Sequence, residues 1–233
     1  MGGDCKSPGS AFEGSNPSPA TNYFPDIQIG ELMSEKNIAS ALDAAEKSLH
    51  IQTAALTAFA NTFGKTLVPS IELIANSKGM LVVTGLGKTG LIGAKISATL
   101  SSTGTPSFFL HAADALHGDS GAIRPDDVLL AISNSGETAE VIQISKMAQS
   151  WGSKVIAMTS SGDSTLGKLA DVLLQVSYGS ESDPLNMAPT TSTLLALAAG
   201  DALASSLMAF RDFTSADFKK RHPGGALGAT KLT

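Results

Sequence analysis

The chain has 233 residues and a single cysteine, Cys5. No intrachain disulfide can form, and one thiol fits a reducing compartment. There is no excess of basic charge. The formal net charge is −5, which argues against a nucleic-acid binder, since such proteins carry a basic face. No apolar run is expected to approach the ~18 residues of a membrane span. The start lacks the apolar segment of a secretory signal. The opening "MGGDCK" resembles an acylation signal but has Lys6 where Ser or Thr is needed, so that reading fails. No Cys/His set has zinc spacing, no G-x-S-x-G nucleophile elbow occurs, and no internal repeat is found. These absences leave a soluble, cytoplasmic protein as the expectation.

What is present can build a core: 42% of residues are hydrophobic and 16% charged, enough for one large domain or two small ones. Residues 1–30 hold four of the ten prolines and little aliphatic content. Such a segment cannot offset its ordering entropy by burial, so it reads as an unstructured tail, with a single domain over 31–233. From Ser34 to Phe63 apolar residues recur at helical spacing, and a second helical piece covers 68–75. Five short aliphatic runs follow, at 80–85, 107–110, 127–133, 154–159 and 171–176. Ala-rich helical stretches separate them, at 89–102, 114–118, 137–151 and 163–169, with a final pair at 190–211 and 215–221. The strands are continuous apolar runs, the pattern of a parallel sheet covered on both faces. The expected fold is a three-layer α/β/α sandwich on a five-stranded parallel sheet. Its ligand should sit beyond the carboxyl ends of the strands.

The loops after the strands carry the chemistry. "VVTGLGKTG" (82–90) ends like a Walker loop at Gly87, Lys88 and Thr89, but the required earlier Gly is Val82, so a nucleotide P-loop is excluded. Gly85, Gly87 and Gly90 match a dinucleotide turn, yet the second strand ends at His111 where a ribose-binding carboxylate belongs. Lys88 at a helix N-terminus opposes the helix dipole, which favours a bound anion there. "ISNSGETAEV" places Ser133, Ser135 and Thr138 on a turn that opens a helix, with Ser135 the expected N-cap. Hydroxyls and unpaired N–H groups at a helix start make a phosphate-sized site. "HAADALHGDSG" clusters His111, Asp114, His117 and Asp119. These could bind a metal adventitiously, but no metal is expected as a requirement. "APTTST" (188–193) is another donor-rich helix start. In "FTSADFKKRHPGG", Thr214 with Asp217 forms a capping-box pattern and His222 leaves the helix on a turn.

Together "VTGLGKTGLIGAKISATLSSTGTPSFFLHAADALHGDSG", "VLLAISNSGETAEV", "APTTST" with "GDALA", and "FTSADFKKRHPGGALG" resemble the sugar isomerase (SIS) domain of arabinose-5-phosphate isomerases, over about 34–230. The resemblance implies a flavodoxin-like SIS fold and interconversion of D-arabinose 5-phosphate and D-ribulose 5-phosphate. It also implies a tetramer and no organic cofactor. It places the phosphate loop on Ser133, Asn134, Ser135, Gly136, Glu137 and Thr138, with Gly87 and Thr89 beside it. The site lysine corresponds to Lys88, the His-Gly-Asp histidine to His117 and the helix glutamate to Glu140. The His-Pro-Gly histidine corresponds to His222, which in the family reaches an adjoining subunit's pocket. Asp114 stands where the family usually has Glu. "DPLNMAP" (183–189) stands where it has Cys-Pro-Leu-Gly-Leu-Ala-Pro, and the CBS pair of many members does not follow.

On this reading Glu140, with Glu137 the alternative, is the general base. It lies one helical turn after the loop, near Glu137 in an i, i+3 relation. His222 opens the sugar ring, and Lys88 and His117 stabilise the enediolate oxygens. The loop glycines are then expected to give backbone clearance to the sugar. Two other readings stay open: a phosphosugar-sensing SIS module without catalysis, and isomerisation of a hexulose or heptose phosphate.

Overall fold

The five aliphatic runs form the strands β1 (Leu81–Gly85), β2 (Ser107–His111), β3 (Val128–Ile132), β4 (Lys154–Thr159) and β5 (Val172–Gln175). In the computed structural model, which describes residues 34–224, all four strand pairings are parallel. The order is β2-β1-β3-β4-β5, the flavodoxin-like arrangement, with its switch point between β1 and β3. The tail at 1–30 and the residues after Gly224 lie outside the described residues. The chain divides between Leu42 and Asp43 into two units, and the second, Asp43–Thr233, holds the whole sheet.

Side chains of a strand alternate between faces, so each apolar run serves two cores at once. Leu81, Val83, Leu130, Ile132, Ile156 and Met158 point into one core. Val82, Leu129, Ala131, Val155 and Ala157 point into the other. The first core is closed by Phe59 and Phe63 at the end of α1 (Glu35–Phe63), Ile74 of α2 (Val68–Asn76) and Ile96 and Leu100 of α3 (Gly87–Ser102), with Leu195, Leu203 and Leu207 of α7 (Thr191–Phe210). The second is closed by α4 (Ala112–Ala115), α5 (Ala139–Ser150) and α6 (Thr165–Leu169). A helix α8 (Ser215–Arg221) follows. Burying each large aliphatic side chain contributes about 1.5–3 kcal/mol, so the double-sided pattern is what fixes the three layers.

α3 and α7 approach closely because α7 has no side chain at the contact: a Cβ at Gly200 would lie 2.4 Å from Ile96. The α7 helix also corrects the expectation that no apolar stretch reaches membrane-spanning length. Thr191–Phe210 is long and apolar enough by length and composition. Its buried face, Leu195, Ala199, Leu203 and Leu207 among it, packs in the first core.

Candidate active site

Strand register decides which loops meet. Gly85 pairs with Ile132 on one side and with His111 on the other. The turn that opens α3, the Ser-rich loop that opens α5 and the loop carrying His111 and His117 therefore leave the sheet side by side. Neighbouring strands lie ~4.8 Å apart. Thr89, Asn134, Ser160 and Ser192 line one narrow cavity at this end, with room for little more than one water at about 10 Å³. A roomier opening, about 190 Å³ and lined by Gly79, Met80, Pro106 and Arg211, lies at the amino ends of the strands. No loop that reads as functional ends there.

The three glycines of the first turn do different things, and for Gly85 and Gly90 the requirement lies within the turn itself. Gly87 takes φ +58°, the left-handed region, with open space where a Cβ would stand. Gly85 and Gly90 serve each other: a Cβ on Gly90 would come within 3.1 Å of the Gly85 carbonyl oxygen. Lys88 is the second residue of α3 and is exposed, with no ion pair among the described residues. Thr89 donates its hydroxyl to the Leu86 carbonyl at 2.8 Å. Leu86, the N-cap, offers no side-chain acceptor to the helix. The start of α3 is thus an uncapped positive dipole end beside a free ammonium group.

The loop after β3 is built more tightly than its sequence suggests. The Asn134 carbonyl accepts from the Ser160 N–H at 3.0 Å, the Ser160 hydroxyl at 2.7 Å and the Thr159 hydroxyl at 3.2 Å. Gly136 sits at φ +70°, and a Cβ there would lie 2.1 Å from the Ser164 hydroxyl. The expected N-cap, Ser135, instead accepts from the Glu137 N–H at 3.2 Å, and the helix starts two residues late with Thr138 as N-cap. The Thr138 hydroxyl pairs with that of Ser133 at 2.8 Å and does not cap. The N–H groups of Ser135 and Thr138 therefore have no acceptor among the described residues, and the first N–H groups of α5 have none within the helix. A rigid loop with exposed donors at a positive helix end is an anion site.

The two glutamates are set apart. Glu137 lies outside the helix, so the i, i+3 relation to Glu140 fails. Its carboxylate accepts the Thr165 N–H at 2.7 Å and closes the start of α6. The Thr165 N–H and hydroxyl hold it below the ordinary carboxylate range, with a smaller pull from Lys168. Glu140, the second residue of α5, is half-buried and has no ion pair or hydrogen bond to its side chain among the described residues.

His117 is exposed on the neighbouring loop and has no ring partner among the described residues. His111 lies 3.5 Å from the Asp114 carboxylate. No group of three or more potential metal ligands occurs among the described residues. His222, at the C-cap of α8, stacks on Phe218 at 3.9 Å and places Nδ1 2.9 Å from the Phe218 carbonyl oxygen. No hydrogen bond among the described residues links it to the 133–138 loop. The Thr214–Asp217 capping box forms as expected.

The residues that the sequence reading passed over lie after β5. Glu181 is buried at 8% exposure, and its carboxylate accepts from the N–H groups of Thr190 and Ser192 at 2.7 and 3.2 Å. Burial pushes this carboxyl up. The neighbouring Ser192 side chain, the two N–H groups and Tyr178 outweigh that and hold it below the usual value. Asn134 Nδ2 donates to the Tyr178 hydroxyl at 2.8 Å. In the departure "DPLNMAP", Asp183 accepts from the N–H groups of Leu185, Met187 and Ala188. Asn186 takes φ 53° while its side chain accepts the Glu181 N–H at 2.7 Å. Asn is the side chain that best replaces a left-handed Gly. The signal available in the sequence was an acid in a Ser- and Gly-rich loop just before a donor-rich helix start.

A model of the SIS domain matches residues 73–206. The chain is 47% identical over 199 residues to arabinose 5-phosphate isomerase KdsD of Pseudomonas aeruginosa, covering 84% of this chain and 61% of that one. It is 50% identical over 163 residues to arabinose 5-phosphate isomerase KpsF of Escherichia coli, covering 70% of this chain and 50% of that one. The chain thus spans between half and about three fifths of the length of these relatives. A solved Escherichia coli CFT073 protein in complex with arabinose 5-phosphate superposes with a TM-score of 0.76 at 35% identity, over 82% of this chain and all of that one. With its flavodoxin-like sheet, its open helix ends and a family match over more than half its length, the chain belongs to the SIS domain family.

Proposed function

We propose that this chain is an aldose–ketose isomerase that interconverts D-arabinose 5-phosphate and D-ribulose 5-phosphate through an enediol. The observation that carries the reading is the uncapped start of α5, where the Ser133–Thr138 loop is fixed from behind and its donors are left open, next to Lys88. Identity to relatives named for this reaction supports it. The phosphate settles on the N–H groups of Ser135 and Thr138 and on nearby hydroxyls, with Gly87 and Thr89 at the adjoining turn. Remote binding of that kind orients the reacting carbons.

Glu140 takes the proton from C2 of the open-chain aldose and returns it to C1, while the proton on the C2 hydroxyl moves to the C1 oxygen. Glu137 is occupied by Thr165, which leaves Glu140 the better base of the two. Lys88 and His117 meet the charge that grows on the enediolate oxygens. His222 of a neighbouring subunit in a tetramer assists ring opening. The reaction runs in the cytoplasm and uses no metal or organic cofactor.

Incubating the purified chain with D-ribulose 5-phosphate and following the aldose by NMR tests the proposal. Appearance of D-arabinose 5-phosphate is the expected result. Binding of the phosphosugar with no conversion would assign the chain to sensing instead. Turnover confined to a hexulose or heptose phosphate would move the substrate.

A further inference from the structure

The half-buried Tyr178, one of two tyrosines in the chain, takes no part in the reaction just described. It stands between two elements of the cleft. On one side its hydroxyl accepts from Asn134 Nδ2 at 2.8 Å. On the other lies Glu181, whose carboxylate closes the start of α7. It also lines, with Ser160, Glu181 and Asn186, an open cavity of about 410 Å³ beside the anion loop. Burial raises the Tyr178 phenol; the Asn134 bond works against this, and the Glu181 carboxylate adds to it. The group therefore stays a neutral phenol at any physiological pH.

Asn134 is the hub of the anion loop. Its backbone carbonyl is held by Thr159 and Ser160. Its side chain has one partner among the described residues, Tyr178. The backbone anchor fixes where the residue sits, and the phenol, whose own proton faces the Glu181 carboxylate, takes the amide nitrogen and so fixes which way the amide faces. An amide free to rotate in a donor-lined loop would present its oxygen to an anion as readily as its nitrogen.

We propose that Tyr178 is a positioning residue: it fixes the orientation of the Asn134 amide and so sets the affinity of the 133–138 loop for the phosphate of the substrate. The proposal rests on the reading of that loop as the phosphate site. Tyr178 acts through Asn134 and need not touch the reacting carbons, so its loss weakens binding and leaves the chemical step in place.

The test is steady-state kinetics of Tyr178→Phe, Asn134→Ala and the double variant with D-arabinose 5-phosphate, alongside calorimetric titration and the melting temperature of each. A neutral hydrogen bond of this kind corresponds to about a three- to tenfold change. Tyr178→Phe should raise KM and the dissociation constant about three- to tenfold, with kcat within about twofold of the parent. The double variant should be no worse than Asn134→Ala alone, because both remove one interaction. Parent-like KM and dissociation constant in Tyr178→Phe, or losses that simply add in the double variant, would overturn the role. If Tyr178→Phe does not fold, Asn134→Ala breaks the same bond from its other end, and an unchanged KM there is equally fatal. Absence of turnover in the parent chain would instead sink the isomerase reading. The calorimetric arm still decides the Tyr178 question in that case.

Discussion

Glu181 holds the start of α7 with a carboxylate that has been taken out of water. The donors that hold it lower its pKa from the ordinary value of 4.5. A lowered folded-state pKa means the stabilisation is complete above the unfolded value and is lost as pH falls through the folded one. Glu181→Gln should therefore cost about 1–2 kcal/mol at pH 7, the scale of a lost charged cap. The gap to the parent should narrow below about pH 4. Denaturant titrations at several pH values measure it, and a gap that is constant with pH would contradict the assignment. As candidates, Lys88, His117, Glu140 and the hydroxyl loop could be read from the sequence because each lies in a contiguous motif next to a strand end. Tyr178 and Glu181 were not. Their meaning comes from partners forty-four and nine to eleven positions away, and no local pattern announces such a contact.

At the scale of elements, strand periods and Gly- or Ser-rich punctuation were enough for the five strands and the order of the helices. The ends were not, for a physical reason visible at α5. Serine before a helix normally caps it, but here Gly136 at φ +70° turns the chain and Glu137 is drawn to α6, so the helix starts at Ala139. The same reversal creates the open donors. The geometry needs glycine at 136, since any Cβ would meet Ser164 and Thr159 while the backbone is left-handed. Gly136→Ala should cost about 1–3 kcal/mol and raise KM for the phosphosugar more than it lowers kcat. Equilibrium unfolding and initial rates on the same preparation check both parts. An unchanged KM would separate the loop from substrate binding.

On the scale of the whole molecule, the net charge of −5 opposes an anionic substrate. Capture must then be local, and the fold supplies it. The order β2-β1-β3-β4-β5 brings the starts of α3 and α5 together at the switch point, both without side-chain caps. Two other helix starts at this end already carry a carboxylate, that of α6 from Glu137 and that of α7 from Glu181. Among the described residues, this end of the sheet is left with the uncapped starts of α3 and α5, with Lys88 outside any ion pair and with Glu140 uncommitted. On the proposed reading, that combination holds the substrate phosphate and leaves a base beside it. The most direct test of the central claim follows D-arabinose 5-phosphate by NMR in D2O with the parent chain and with Glu140→Gln. The parent should form D-ribulose 5-phosphate and exchange substrate carbon-bound hydrogen for deuterium. Glu140→Gln should bind the sugar within a fewfold of the parent and lose about 10²–10⁴ of the rate. Conversion by Glu140→Gln near the parent rate, or binding without conversion by the parent, would contradict the account.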